Sequence, residues 1–264
     1  MIETEYLKSA QQAVTALKWE VSFSPKPGLV DAKSNGSHTD MDIDLFYRSA
    51  DSLLAGFEEM IRVSYRHPLD LNLREEVGRI GRMSEKDMFK ATNGINTHKG
   101  AIWSMGLLIS VISSLQTNDL ETIFAGVKKL SRMPDKYVPV TQKTHGMITK
   151  QKYALNGAKG EAQSGFANVS KILSFHPEAD DYDIWLKRLL LLYSNVNDTN
   201  VVYRSNLQVL QQFQTLSAEI VVSKQSVLDN PKFRILQEFT KEYNISPGGC
   251  ADLFAASYFL KHLN

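Results

Sequence analysis

Residues 101–115 read AIWSMGLLISVISSL, the most apolar stretch of the chain, with serines at 104, 110, 113 and 114. A bilayer span needs ~20 largely apolar residues. Fifteen residues broken by four serines are too few, so the stretch is expected to be a helix buried in a protein core. The flanking sequence supplies partners for such a helix. Leu7, Ala10, Val14, Leu17 and Val21 fall at steps of three and four and form one apolar stripe. Leu45, Ser49, Leu53, Phe57 and Met60 repeat the pattern, with Asp44 ahead of them as an N-cap. Further helical stretches are expected near residues 73–91, 99–116, 119–132, 160–174, 180–196, 199–223, 232–243 and 248–263.

The eight prolines (25, 27, 68, 134, 139, 177, 231 and 247) fall between these stretches, where proline ends or starts a helix without interrupting it. Sustained apolar–polar alternation is scarce and no hairpin dipeptide joins two β-rich runs, although Val138–Thr141 has the character of a short extended piece. The expected fold is all-α, a single globular domain over residues 1–264 with about ten helices and polar inter-helix loops that carry the function.

Composition limits the function. Of 264 residues 43% are hydrophobic and 22% charged, which argues against disorder. Thirty basic against 29 acidic residues leave +1, without the basic excess of a general nucleic-acid binder. The only cysteine is Cys250, so no intramolecular disulfide forms, as suits a reducing cytosol. The start, MIETEYLKSAQQ, has neither the basic end nor the apolar core of a signal peptide. A cytoplasmic protein that engages no membrane is expected.

Five inter-helix segments concentrate Gly, Lys, His, Asp and Asn beyond what packing requires. In the first, Glu20–Asp42, prolines and Gly28 stiffen PKPG and hold Lys26, either as a binding group or as an exposed turn lysine; Asp31, His38 and Asp40 follow. Asp40, Asp42 and Asp44 alternate as in a calcium loop, but Leu45 stands at the position that needs glycine and Asp51 at that of the final glutamate. A magnesium site using one or two carboxylates remains open, beside plain helix capping by Asp42 or Asp44. The second, TNGINTHKG at 92–100, sets Asn96, His98 and Lys99 at a helix N-terminus, where free N–H groups and the dipole favour phosphate. It is not a Walker A loop, because Lys99-Gly100 stands where Gly-Lys-Ser/Thr is required. In the third, GAKGE at 157–161, Lys159 and Glu161 read either as a surface ion pair or as ligands. The fourth, NDTN at 197–200, offers Asp198 as N-cap or magnesium ligand, with Arg204 as a phosphate clamp. The fifth, SPGGCAD at 246–252, lets Gly248 and Gly249 form an anion nest before Asp252. Signatures of zinc proteases, serine hydrolases and dinucleotide binders are absent. The composite points to a magnesium-nucleotide enzyme.

Taken together, PKPGLVD, HTDMD, NTHKGAIWSMG, GAKGEA, DTNVVYR and SPGGCADL, in this order from about residue 20 to 260, resemble the ATP:dephospho-CoA triphosphoribosyltransferase family. The resemblance implies an all-helical enzyme that displaces adenine from C1 of the ATP ribose with the 2′-hydroxyl of 3′-dephospho-CoA. The product is the precursor of the prosthetic group on the acyl carrier subunit of citrate lyase or malonate decarboxylase, which a separate phosphoribosyl-dephospho-CoA transferase attaches. Substitution at C1 passes through an oxocarbenium-like state, so the site needs a base, a hydrogen-bond donor for adenine, and cations for the triphosphate.

On that resemblance Lys26, Lys99, Lys159, Arg204 and Asn96, with the Gly248-Gly249 nest, bind substrate, and Asp198, Asp252 and Glu161 hold Mg²⁺. Asp40 is the base, and His38 or His98 the donor. Two departures stand out: the family usually has arginine at Lys159 and glycines at Ser205-Asn206. Two other functions fit the residues, a magnesium-dependent N-glycoside hydrolase of an ADP-ribosyl-type substrate and an inactive nucleotide- or CoA-binding module. The oligomeric state is left open, a homo-oligomer included.

Overall fold

A computed structural model describes residues 2–138 and 157–263. Among the described residues there are thirteen helices and no strand. They are α1 (Ile2–Ser22), α2 (Ile43–Ser52), α3 (Leu54–Ser64), α4 (Leu71–Ala91), α5 (Lys99–Leu115), α6 (Leu120–Arg132), α7 (Gly157–Ser164), α8 (Ala167–Ser174), α9 (Tyr182–Asn195), α10 (Thr199–Arg204), α11 (Leu207–Val221), α12 (Pro231–Glu242) and α13 (Gly248–Lys261). The all-α expectation holds. Most of the extended piece expected at Val138–Thr141 lies outside the described residues.

The apolar stretch is the axis of the fold. α5 packs against α1, α3, α4, α6, α7 and α13, so every residue from Met105 to Ser114 is buried. Two of its serines tie it to the preceding layer, Ser113 Oγ donating to Ile61 O at 2.7 Å and Ser114 Oγ to His67 O at 2.5 Å. No single helix among the described residues is long and apolar enough to cross a membrane. α9 packs against α11, which packs on α12, and α13 joins this layer to the first through α1 and α5. The apolar side chains form one contiguous cluster running from α1 to α13. The two stripes read from the sequence lie in it: Ala10, Val14, Leu17 and Val21 are buried, as are Leu45, Ser49, Leu53, Phe57 and Met60.

Three expected helices divide. The second stripe is split at Leu53 into α2 and α3, with Asp42 rather than Asp44 as the N-cap, accepting from Leu45 N at 2.8 Å. The stretch at 160–174 breaks at Gly165 and Phe166, both at positive φ. The stretch at 199–223 breaks at Ser205-Asn206, where Asn206 caps α11. Neither residue has a φ that demands glycine (−138° and −162°).

Candidate active site

Helix N-termini leave backbone N–H groups without partners, and an Asp or Asn at the N-cap commonly accepts from them. Asp42, Asp70, Asp119, Asp181, Asp198, Asn206 and Asn230 do so for their own helices. α5, α8 and α13 have no such cap, because His98, Phe166 and Pro247 make no side-chain bond there. Carboxylates from elsewhere take the place. Asp198 Oδ2 accepts from Cys250 N at 2.9 Å, at the start of α13, while its Oδ1 caps α10 through Asn200 N at 2.8 Å. Asp252, one turn along α13, lies against the start of α5 at Gly100 and Ala101. Glu161 accepts from Asn168 N at 2.8 Å and from its side-chain amide at 2.9 Å, at the start of α8.

These are the three carboxylates assigned to magnesium from the sequence, and each lies at a helix start. The relay explains two glycines. A β-carbon on Gly100 would lie 1.9 Å from Asp252 Oδ2, and one on Gly249 would lie 2.9 Å from Asp198 Oδ2. The Asp198 carboxylate thus lies beside the Gly248-Gly249 turn from which a phosphate nest is expected, and it takes the N–H of Cys250. Among the described residues no three His, Cys, Asp or Glu side chains converge as a metal cage.

Burial raises the carboxyl of Asp198, against its backbone hydrogen bonds. It raises Asp252 well above its ordinary range, aided by the negative charges of Glu20 and Asp198. Cys250, fully buried between them, is pushed well up by burial and by the Asp198 charge, so its thiol is no nucleophile. A small pocket opens beside this relay, lined by Gly157 and Glu161 of α7, by Asn197–Thr199 and by Gly249. The third, fourth and fifth polar segments therefore share one wall.

The first segment supplies the adjoining floor. Lys26 is buried and its Nζ donates to Glu20 O at 2.6 Å and to the Glu20 carboxylate. Burial drives both groups toward their neutral forms and the pairing pulls each back. Asp31 accepts from Lys26 N, Lys33 N and Ser34 N at 2.7–2.9 Å and folds the loop around itself. Lys26 is thus a buried structural cation in this arrangement rather than a free phosphate ligand. Glu20, which the sequence reading left without a role, is one of the charges acting on Asp252. Its signal was visible: it lies three residues after Leu17 and beside Val21 on the buried stripe of α1.

His98 is buried beside this floor. Its Nδ1 is 2.7 Å from Ser49 Oγ, and its Nε2 is buried with no partner among the described residues. Burial, with the nearby Lys26 charge, lowers its pKa to about 3, so the ring is neutral at physiological pH. His38, the other proposed donor, has both nitrogens engaged. Arg204 donates to Nδ1 at 3.2 Å, and Nε2 lies 2.9 Å from Ser246 Oγ. An arginine N–H at Nδ1 requires a lone pair there, so the ring proton sits on Nε2 and points at Ser246. Asp40, 3.5 Å from Nδ1, completes a Ser–His–Asp outline. The tautomer is the reverse of what would activate a serine. Arg204 also donates to Ser37 O at 2.9 Å and Asn244 O at 3.3 Å, which fixes the loop bearing Asp40. Burial and the Arg204 charge lower His38, so it too is neutral.

The remaining candidates lie at the rim. Lys99 pairs with Glu85 of α4, Asn96 Oδ1 accepts from Lys99 N at 3.3 Å, and Lys159 is exposed on α7. The structure thus joins residues of all five segments at one end of the bundle. Most of the expected cationic ligands already have protein partners, and Asp40 is the exposed carboxylate of the group.

Against known proteins, the family model described as ATP:dephospho-CoA triphosphoribosyl transferase matches residues 7–264. The chain is 35% identical over 260 residues to a 2-(5″-triphosphoribosyl)-3′-dephosphocoenzyme-A synthase of Klebsiella pneumoniae, covering 95% of this chain and 92% of that protein. It is 35% identical over 265 residues to an Azotobacter vinelandii protein named as a probable synthase of the same kind, covering 96% and 90%. Over 275 residues it is 35% identical to protein CitXG of Haemophilus influenzae, covering 94% of this chain and 58% of that longer protein. No solved structure matches it.

Proposed function

The chain belongs to the ATP:dephospho-CoA triphosphoribosyl transferase family, and from that premise we propose how its residues move the triphosphoribosyl group of ATP to the 2′-hydroxyl of 3′-dephospho-CoA. The C1–N9 bond of ATP breaks with its electron pair leaving on adenine, and a C1–O2′ bond forms. The hydroxyl proton passes through a base to solvent, and the departing adenine, hydrogen-bonded in the site, takes one from solvent. The carrying observation is that the family motifs, scattered over the sequence, meet where Asp198 reaches the start of α13 and Asp252 the start of α5.

Asp40 is the base for the 2′-hydroxyl. It is exposed to an incoming substrate, and its loop is pinned by Arg204 and His38. His98 is the donor to adenine, since His38 has no free nitrogen. Lys99 and Lys159 at the rim attract the triphosphate, Lys99 by exchanging its Glu85 partner for phosphate. Lys26 acts from below as a fixed positive charge.

Asp252, pressed by the charges of Glu20 and Asp198, fits a divalent cation. The donor set suits Mg²⁺ held through one or two carboxylates and completed by phosphate and water, rather than an all-protein cage. Asp252 would hold it, with Asp198 or Glu161 adjacent, and the ion would neutralise the triphosphate. The product then passes to a phosphoribosyl-dephospho-CoA transferase acting on an acyl carrier protein, and the reaction is placed in the cytoplasm.

The test is mass-resolved chromatography of the protein with ATP and Mg²⁺, with and without 3′-dephospho-CoA. Adenine and the triphosphoribosyl adduct appearing together, and only with dephospho-CoA, is the expected result. Adenine without adduct would replace the transferase by a hydrolase. Nucleotide binding without adenine would replace it by a binding module.

A further inference from the structure

Ser49 lies on α2, outside every family motif quoted above, and its side chain is fully buried. Its hydroxyl stands 2.7 Å from His98 Nδ1 and 2.6 Å from Thr97 Oγ1. Phe46, three residues earlier on the same helix, meets the His98 ring edge to face, with centroids 5.2 Å apart. The backbone N–H of His98 points to Met88 Sδ at 3.2 Å. The ring is therefore held on several sides, with Nε2 left over, buried and unpartnered among the described residues.

A hydroxyl has one proton, so the chain Thr97–Ser49–His98 can run in two directions. If Thr97 donates to Ser49 and Ser49 to Nδ1, the ring proton sits on Nε2. If the ring donates to Ser49, Nε2 carries a bare lone pair. A ring that hydrogen-bonds departing adenine through Nε2 carries its proton there, and Nδ1 then accepts from the Ser49 hydroxyl. We propose that Ser49 is a positioning residue: its hydroxyl donates to Nδ1 of His98 and holds the imidazole as the Nε2–H tautomer, ready to hydrogen-bond departing adenine. The inference rests on the transferase reading for its last step. That reading also sets the direction of the bond; the contact itself stands on Ser49 and His98 alone. No proton leaves the ring; the N–H stabilises charge as it develops on the base.

The experiment has two readouts on the full-length protein. Long-range ¹H–¹⁵N correlation of the substrate-free enzyme reads the His98 tautomer directly, assigned with His98→Asn. The wild type is expected to show Nε2 protonated and Nδ1 bare, and Ser49→Ala a mixture of the two forms. In steady-state assays Ser49→Ala is expected to lower kcat ~10²-fold with the KM for ATP nearly unchanged, and Ser49→Thr, which keeps the hydroxyl, to restore the tautomer and most of the turnover. A wild-type ring protonated on Nδ1 would overturn the proposal, as would a folded Ser49→Ala enzyme with undiminished kcat. If the wild type releases no adenine at all, the transferase reading fails, and the spectra alone decide the ring assignment.

Discussion

The carboxylate of Asp252 rests against the α-carbon of Gly100, where a β-carbon would lie 1.9 Å from Oδ2. This contact joins the two glycine-bearing helix starts of the site and places a side chain of α13 against the first turn of α5. Gly100→Ala should push the carboxylate aside. Alanine in a helix is favoured over glycine by ~1 kcal/mol, so thermal stability should hold or rise while turnover falls ~10²-fold. Melting curves and initial rates on the same preparation check it. A coupled loss of both would mean that Asp252 is a structural cap and nothing more.

Asp252 also dictates a pH dependence. Its folded pKa is raised well above the ordinary 3.8 by burial and by Glu20 and Asp198. Between the two values the native state binds more protons than the unfolded state, so this group's contribution to stability declines as pH rises through that window. Asp252→Asn should therefore stabilise the substrate-free protein at neutral pH relative to wild type, with the gap closing toward pH 4. Mg²⁺ should stabilise the wild type increasingly with pH and the variant much less. Denaturant titrations across pH, with and without Mg²⁺, measure both effects.

The chemistry at this site was legible in the sequence as a set of loops, but the partners of each residue were not. That Asp198, Asp252 and Glu161 also lie at the starts of other helices was not legible, because helix starts without a local cap cannot be seen before the helices are placed. The breaks at Leu53, Phe166 and Ser205-Asn206 were hidden because apolar periodicity continues across each of them. Lys26 read as a free cation because its partner Glu20 lies on the preceding helix, where a carboxylate on the apolar stripe was the available clue. The stripe of α2 and α3 did include Ser49, as a small core residue; its contact with His98 spans 49 positions and follows from tertiary packing alone.

The Glu20–Lys26 pair is nearly inaccessible to solvent, with side chains 7% and 1% exposed. Removing one partner of such a pair strands a buried charge and costs roughly 3–5 kcal/mol. Lys26→Met should lower stability on that scale, and adding Glu20→Gln should recover a substantial part of the loss. A double-mutant cycle by urea unfolding measures the coupling. Independent, additive effects would show that the two charges do not depend on one another.

His98 gives the opposite pH trend from Asp252. Its folded pKa is lowered to about 3 from an ordinary 6.5. Between those values the unfolded state binds more protons, so this residue's contribution to stability falls as pH drops from 6.5 toward 3. The stability advantage of wild type over His98→Asn should shrink across that range, and the rate profile from pH 5 to 8 should carry no inflection from this ring. As the proposed hydrogen-bond donor, its loss should cost ~10²–10³ in turnover. Retained turnover in a folded His98→Asn variant would remove it from the mechanism.

The most direct test follows the oxygen that forms the new bond. Dephospho-CoA labelled with ¹⁸O at the 2′-hydroxyl is incubated with the enzyme, ATP and Mg²⁺, and the products are read by mass spectrometry. Attack by that hydroxyl at C1 predicts ¹⁸O retained in the triphosphoribosyl adduct, formed one-for-one with adenine. Released ribose triphosphate carrying solvent oxygen, with the label confined to unreacted dephospho-CoA, would contradict it.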